Sequence, residues 1–388
     1  MKPPNMKVSE DEARELTQQL IRIPSINPPG NVDECVLFIA SWLDRNGIQA
    51  EIIRGENVAN VVAKIGDNRG KKLLWNGHCD VVPAGSNWVH DPFSGSYEGG
   101  FIYGRGASDM KGGDAAMMLA LKTLKKENVE LKGQIVFTIV GDEETGSVNG
   151  TLMILNHLGV EFDGAVVPEP TDFYIERAQR GLRWLELKVS GKACHAGRPH
   201  VGRNAVEYSA KVIQALKRIR FSAYNELFEH EARNPSLSVT MISGGIKTNI
   251  IPEGCTLTID RRMLPGESEE EVVSEIEKAL TEIREEGFST ALEVVNKGWD
   301  PFVTDQNESI VKSIMATYQR VVHEQPRVRG KGGCTDASHI FNAGIPVVIF
   351  GPGNANEAHT ANEKVAVSRV TKAAEILAES AMNFLNNA

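Results

Sequence analysis

The 388-residue chain is poor in cysteine: Cys35, Cys79, Cys194, Cys255 and Cys334 are all it has. The number is odd and no two are spaced C-x-x-C, which argues against a disulfide framework and against a thiolate zinc knuckle. They read as small apolar side chains in a reducing compartment. No stretch reaches the roughly 18–20 apolar residues that a membrane-crossing helix needs. The segment MKPPNMKVSEDE lacks the apolar core of a secretory signal, so a cytoplasmic protein is expected. Positive charge is in deficit: 42 Lys and Arg against 51 Asp and Glu give a formal net charge of −9. That balance disfavours nucleic acid as a partner. The acids are spread along the chain and do not mark a disordered tail. Low-complexity tracts and internal repeats are also absent.

What is present is the composition of a globular protein, 41% apolar and 24% charged. The length exceeds one ordinary core and suggests two domains. Helix and strand signals alternate in the first part. SEDEARELTQQLIRI opens with Ser9 and Glu12 spaced as a capping box, and CVLFIASWLDRNG is a helix stopped by Gly47. The apolar runs NVVAKI, KKLLWNGH, QIVFTIV and GAVVPE are strand-like, and KGGDAAMMLALKTLKKE between them is helical. Such alternation implies an α/β domain on a mostly parallel sheet.

Near residue 180 the pattern changes. RWLELKVSG alternates apolar with polar, as in a sheet with one solvated face. NAVEYSAKVIQALKRI, SLSVTMISGG, CTLTIDRRM, SEEEVVSEIEKALTEIREEG and ALEVVNKG follow. The order strand–helix–strand–strand–helix–strand is that of a ferredoxin-like α+β unit. The α/β pattern then returns with ESIVKSIMATYQRVV, IPVVIFG and RVTKAAEILAESAMNFL. The expected organisation is one domain from residues 1–180 and 298–388, with residues 181–297 inserted into it.

Ligand sites in open α/β sheets lie at the carboxyl ends of strands. Three polar clusters fall there: WNGHCD (75–80), GDEETG (141–146) and PEPT (168–171). On a strand, positions two apart share a face, so His78 and Asp80 point together. A metal-bound histidine passes its other N–H to a carboxylate, which suits His78 with Asp80 behind it. An ordinary strand-end ion pair has the same pattern. IYGRGASDMKGG (102–113) sets Asp109 after a glycine-rich turn and before a helix, where plain helix capping is the simplest role. Glu143 and Glu144 are adjacent and point apart in extended backbone, so one could bind metal while the other moves protons. Glu169 sits between two prolines that would pre-place it. NEAHTANE carries His359 after a further strand and a Gly-Pro-Gly turn.

Taken together, His78, Asp109, Glu144, Glu169 and His359 are two histidines and three carboxylates with no thiolate. That set suits two zinc, cobalt or manganese ions. If Asp109 bridges, each ion has one histidine, one private carboxylate and a share of Asp109, with a position left for water.

HCD, GRGASDMKGG, GDEETG, PEPT and NEAHTANE, in this order, resemble the motifs of the M20 metallopeptidase family. That group includes acetylornithine deacetylase, succinyl-diaminopimelate desuccinylase, aminoacylase-1 and glutamate carboxypeptidase. The resemblance implies a zinc-aminopeptidase-like catalytic domain with an inserted ferredoxin-like dimerisation (lid) domain, and hence a homodimer. It implies His78 and Glu169 on one metal, Glu144 and His359 on the other, Asp109 between them, Asp80 orienting His78, and Glu143 as general base. CHAGRPH is similar to the segment whose first histidine, here His195, reaches the partner subunit's site and steadies the oxyanion. KTNIIPEG and IDRRMLP are similar to the segments that hold the substrate carboxylate, through Asn249 and Arg262. GKGGCTDASHI (330–340), with Gly333, resembles the glycine-rich substrate loop but not the serine-rich form of strict desuccinylases.

The resemblance implies a dinuclear metal-dependent amidohydrolase cleaving N-acyl amino acids, like the acetylornithine deacetylase and desuccinylase-like group. A metallo-dipeptidase or carboxypeptidase would use the same ligands and differ only in its pocket. A metallophosphoesterase is disfavoured, because the D-x-H and G-N-H elements of its pattern are missing. A non-catalytic binding protein on this fold would be expected to lack a ligand or the base, and neither is lacking.

Overall fold

The structure is a computed structural model and describes residues 6–159, 161–296 and 298–387. The expected domain boundary at residue 297 and the first five residues of the N-terminal segment lie outside the described residues. The chain forms two compact units. One comprises the chain up to Arg177, Thr304–Lys331 and everything from Thr335 on; the other comprises Ala178–Val303 with Gly332–Cys334.

In the first unit, the Ser9 hydroxyl caps α1 (Glu10–Ile21) by accepting the Glu12 N–H. The Glu12 carboxylate turns to Lys122 at 3.0 Å, so the capping box is used in one direction. Helix α2 (Asp33–Arg45) ends before Gly47, whose φ of +74° lets the chain turn away. Strands β1 (Ala50–Arg54) and β2 (Ala59–Gly66) form an antiparallel hairpin, because the short link between them cannot make a crossover. Next come β3 (Lys72–His78), β4 (Ser96–Glu98), β5 (Phe101–Tyr103), α3 (Gly112–Lys126), β6 (Gln134–Val140), α4 (Thr151–Leu158), β7 (Gly164–Val167) and β8 (Ile175–Gln179).

The second unit contains β9 (Gly181–Ser190), β10 (Cys194–His195), α5 (Ala205–Leu216), β11 (Ser236–Gly244), β12 (Ile250–Ile251), β13 (Gly254–Met263), α6 (Glu269–Thr281), β14 (Ser289–Val294) and β15 (Phe302–Val303). The chain then returns to the first unit through α7 (Ser309–Val322), β16 (Val328–Lys331), α8 (Ala337–Asn342), β17 (Val347–Ile349), β18 (Lys364–Ala366) and α9 (Val367–Asn386).

The sheet of the first unit runs β1-β2-β6-β3-β7-β17-β8. Only its centre, β6-β3-β7-β17, is parallel. These strands are buried on both faces, as parallel strands between helices must be. Trp75 and Phe137 of the sheet share a core with Leu20, Ile39, Met117, Ile314 and Ile376 of the helices. Each such side chain stabilises the fold by roughly 1.5–3 kcal/mol on burial. Because the four central strands are adjacent and parallel, their carboxyl ends open along one edge.

In the second unit the antiparallel order is β11-β13-β9-β14. Along β9, Leu185, Leu187 and Val189 are buried while Trp184, Lys188 and Ser190 are exposed. The buried face packs on Tyr208, Val212 and Leu216 of α5 and on Val272, Ile276 and Leu280 of α6. Helix α6 has a complete capping box: Ser268 Oγ accepts the Glu271 N–H at 3.2 Å, and Glu271 accepts the Ser268 N–H at 2.9 Å. The molecule is thus an α/β fold interrupted by a ferredoxin-like α+β unit.

Candidate metal centre

His78 ends β3 and is 1% exposed. Its Nδ1 lies 2.9 Å from the Asp80 main-chain carbonyl and 3.4 Å from Asp80 Oδ1. A carbonyl oxygen only accepts, so Nδ1 carries the proton and Nε2 of the neutral ring keeps its lone pair. Nε2 faces Asp109 Oδ1 at 3.3 Å, Glu169 Oε1 at 3.4 Å and Glu143 Oε2 at 4.0 Å. It is buried and has no hydrogen-bond partner among the described residues. A buried lone pair turned toward carboxylate oxygens suits a cation held between them.

Asp109 opposes His78 with one oxygen and His359 with the other, the second at 3.4 Å. It arrives there through a glycine-rich bend. Gly106 has φ +87°, and a Cβ on Gly113 would lie 2.2 Å from the Pro168 carbonyl oxygen. Only glycine lets α3 begin against the turn that carries Glu169.

Glu143–Thr145 is a 3₁₀ turn after β6, not the extended backbone that the sequence suggested. Successive side chains in such a turn are about 120° apart, so the two acids still diverge. Glu143 faces His78, and Glu144 Oε1 lies 3.2 Å from His359 Nε2. The turn is held from β3: Asp80 Oδ1 accepts the Glu143 N–H at 3.2 Å, and Oδ2 accepts the Glu144 N–H at 3.1 Å. Asn27, from the loop after α1, donates Nδ2 to Asp80 Oδ2 at 3.0 Å and to Thr145 Oγ1 at 3.1 Å.

The donors fall into two groups of three, His78–Glu143–Glu169 and Asp109–Glu144–His359. Ligand atoms within each group lie within 4.8 Å of one another. Burial works against a charged His78, yet Asp109, Asp80 and Glu169 hold its pKa well above the usual value. The Glu144 carboxylate raises His359 to about 9. Burial drives the Glu143 carboxyl well up; His78 opposes this, while Glu169 and Asp336 add to it. The cluster is a strongly negative pocket around two imidazoles, and divalent cations are the natural complement.

Three residues of this region carry no local sequence signal. Lys331 is buried, donates to the Pro170 carbonyl at 3.1 Å, and lies 3.8 Å from both Glu169 Oε2 and Glu176 Oε2. It neutralises the Glu169 oxygen that points away from His78. Asp336, in the loop compared with a substrate loop, is 1% exposed. It accepts the hydroxyls of Ser147 and Thr151, the latter at 2.6 Å, and anchors the chain that follows the acidic turn. Asn27 is the third.

The remaining sequence candidates lie in the second unit. His195 and Asn249 are exposed on the ribbon of β10 and β12, where the Ala196 N–H donates to the Asn249 carbonyl at 3.0 Å. His195 Nδ1 accepts the Gly197 N–H at 3.0 Å, so a neutral ring presents Nε2–H outward. Arg262 on β13 spends Nε and Nη2 on Asp260 at 2.8 and 3.2 Å. Its Nη1 is left beside Cys334 Sγ at 3.9 Å. Gly333 is exposed, and a Cβ there would meet nothing within 4 Å.

A sequence profile of peptidase family M20/M25/M40 matches residues 74–383. The chain belongs to this family. Among its relatives, succinyl-diaminopimelate desuccinylase of Bordetella avium (strain 197N) is 30% identical over 91% of this chain and 93% of its own. N-formyl-4-amino-5-aminomethyl-2-methylpyrimidine deformylase of Bacillus subtilis (strain 168) is 29% identical over 96% and 94%. The solved M20 family metallo-carboxypeptidase Sso-CP2 from Sulfolobus solfataricus shares the fold with a TM-score of 0.79, at 22% identity, covering 96% of this chain and 99% of that one. This M20 chain is accordingly a metal-dependent hydrolase of amide bonds. No helix among the described residues is long and apolar enough to cross a membrane.

Proposed function

We propose that this M20 hydrolase removes the acyl group from N-acyl amino acids, in the manner of a deacetylase or desuccinylase. The observation that carries the reading is the division of six donors into two groups, with Asp109 turned to both histidines. His78 and Glu169 would hold one ion, Glu144 and His359 the other, and Asp109 would be shared. Zinc suits these ligands best, and cobalt or manganese also fit. When bound, such a pair polarises a carbonyl and brings the pKa of water toward neutrality.

The chain's own groups do the rest. Glu143, held by the turn that Asp80 secures, accepts the proton of the attacking water and delivers it to the departing amine. His195 of the partner subunit donates Nε2–H to the oxyanion. Asn249, Arg262 and the backbone at Gly333 hold the substrate's own carboxylate. Arg262 turns its Nη1 from the weak acceptor Cys334 Sγ to the substrate, or exchanges Asp260 for the substrate as it binds. The products are a carboxylate and a free amine. The chain works as a cytoplasmic homodimer on a small molecule.

The names of the two relatives favour acyl removal over peptide cleavage, since one is a desuccinylase and the other a deformylase. The deciding experiment is amine release from N-formyl, N-acetyl and N-succinyl amino acids and from dipeptides. It uses chelator-stripped enzyme with zinc, cobalt or manganese restored. Metal-restored cleavage of an N-acyl class is expected. Turnover of dipeptides alone would replace deacylase with dipeptidase or carboxypeptidase.

A further inference from the structure

We infer that Glu363 is a positioning residue that sets how Asp109 and His359 face each other, and thereby governs affinity for the second of the two ions. The inference rests on the two-ion reading above. Glu363 is fully buried, four residues after His359 and just before β18. One carboxylate oxygen accepts the N–H of Ser108 at 2.8 Å and of Asp109 itself at 3.0 Å. The other meets Arg105 Nη1 at 2.5 Å. The Glu363 carbonyl also accepts the Gly104 N–H at 2.8 Å.

The opposite end of the His359 loop is fastened to the same segment. Ser108 Oγ donates to the Asn354 carbonyl at 2.9 Å and accepts the Asn354 N–H at 2.7 Å. Both ends of the loop that presents His359 are therefore tied to the two residues 108 and 109. Arg105, 2% exposed, extends the tie to the Thr360 carbonyl at 3.2 Å and to the Pro83 and Ala84 carbonyls at 3.4 and 3.3 Å.

The two ion sites depend on this clamp unequally. His78 stands on a buried strand, and Glu169 follows another directly. His359 has a half-exposed side chain and a φ of +60° on a loop, so its place is set by where that loop is fastened. Glu363 joins that fastening to the backbone of Asp109 with a charge-assisted acceptor, the strong kind of hydrogen bond. Removing it leaves the Ser108 and Asp109 N–H groups without their acceptor and Arg105 with carbonyl partners only, and the loop and Asp109 become free to separate.

The test is metal binding to chelator-stripped protein, read by competition with a chromophoric chelator and by the visible absorption of bound cobalt. Wild type is expected to bind two ions. E363A is expected to keep one at near wild-type affinity and to lose about 10–100-fold on the other, the range for outer-shell substitutions. E363Q keeps an acceptor oxygen but sets an NH₂ against Arg105; it should weaken the same ion and spare the other, and it carries the test if E363A does not fold. Unchanged binding, or equal weakening of both ions, in the variant that folds overturns the inference. A wild type that binds fewer than two ions removes the two-ion reading itself, and the inference with it.

Discussion

The carboxylate of Asp80 is bonded to the backbone of Glu143, the Glu143 N–H donating to Oδ1 at 3.2 Å. This ties the residues that follow β3 to the turn that follows β6, and Glu144 is held the same way through Oδ2. Asp80 is fully buried, and its contact with His78 is looser, at 3.4 Å. In this geometry its carboxylate accepts from the acidic turn, while its backbone carbonyl accepts the imidazole Nδ1–H at 2.9 Å.

A prediction separates the two roles. Asn27 touches Asp80 Oδ2 and Thr145, and none of its hydrogen bonds reaches His78. If Asp80 served only His78, Asn27→Ala would leave turnover unchanged. If the turn matters, Asn27→Ala lowers kcat, and Asp80→Ala lowers it further by exposing two buried N–H groups at about 1–3 kcal/mol each. Steady-state kinetics with thermal melts on both variants decide between these outcomes. A silent Asn27→Ala alongside a crippled Asp80→Ala returns Asp80 to the imidazole-orienting role.

Glu143 raises a second question, because its carboxylate is close enough to His78 and Glu169 to complete a donor group with them. It could be a base or a ligand. Glu143→Gln keeps the shape of the side chain and removes its ability to take a proton. As a base, its loss should cost about 10²–10⁴-fold in kcat with two ions still bound. The check is metal content after dialysis, set beside kcat. An ion lost from Glu143→Gln would place Glu143 in the coordination shell and leave the base to be found elsewhere.

How much of this could be read from the sequence follows from the range of each interaction. The strands that end at His78 or just before Glu143, Glu144 and Glu169 were legible because an apolar run ending in charge is a local pattern. The antiparallel β1–β2 hairpin was not, since NVVAKI is as apolar as its parallel neighbours and only its short link betrays it. The turn at Glu143 was misjudged for a similar reason: what bends it is Asp80, more than sixty positions away. Asn27, Lys331 and Glu363 were invisible as single letters. Each acts across at least fifty positions, and nothing beside it in sequence announces the partner. Arg262 shows the converse, a residue found by resemblance whose fork is occupied by its near neighbour Asp260.

His195 supports the last prediction. The Gly197 N–H occupies Nδ1, so the proton of a neutral ring sits on Nε2, where an oxyanion could receive it. The side chain is exposed on its own chain. If it serves the site of a second copy, His195→Ala and Glu143→Ala are each inactive as homodimers, for different reasons. In a mixed dimer one site is doubly damaged and the other is whole, with Glu143 from the first variant and His195 from the second. Random mixing of equal amounts makes half the dimers mixed, so about a quarter of wild-type turnover should reappear under two-fold symmetry. The experiment is co-refolding or co-expression of the two variants with distinct tags, tandem purification of the mixed species, and an assay against each parent. Verified mixed dimers as inactive as their parents would confine His195 to its own subunit, and the shared-site mechanism would fall with it.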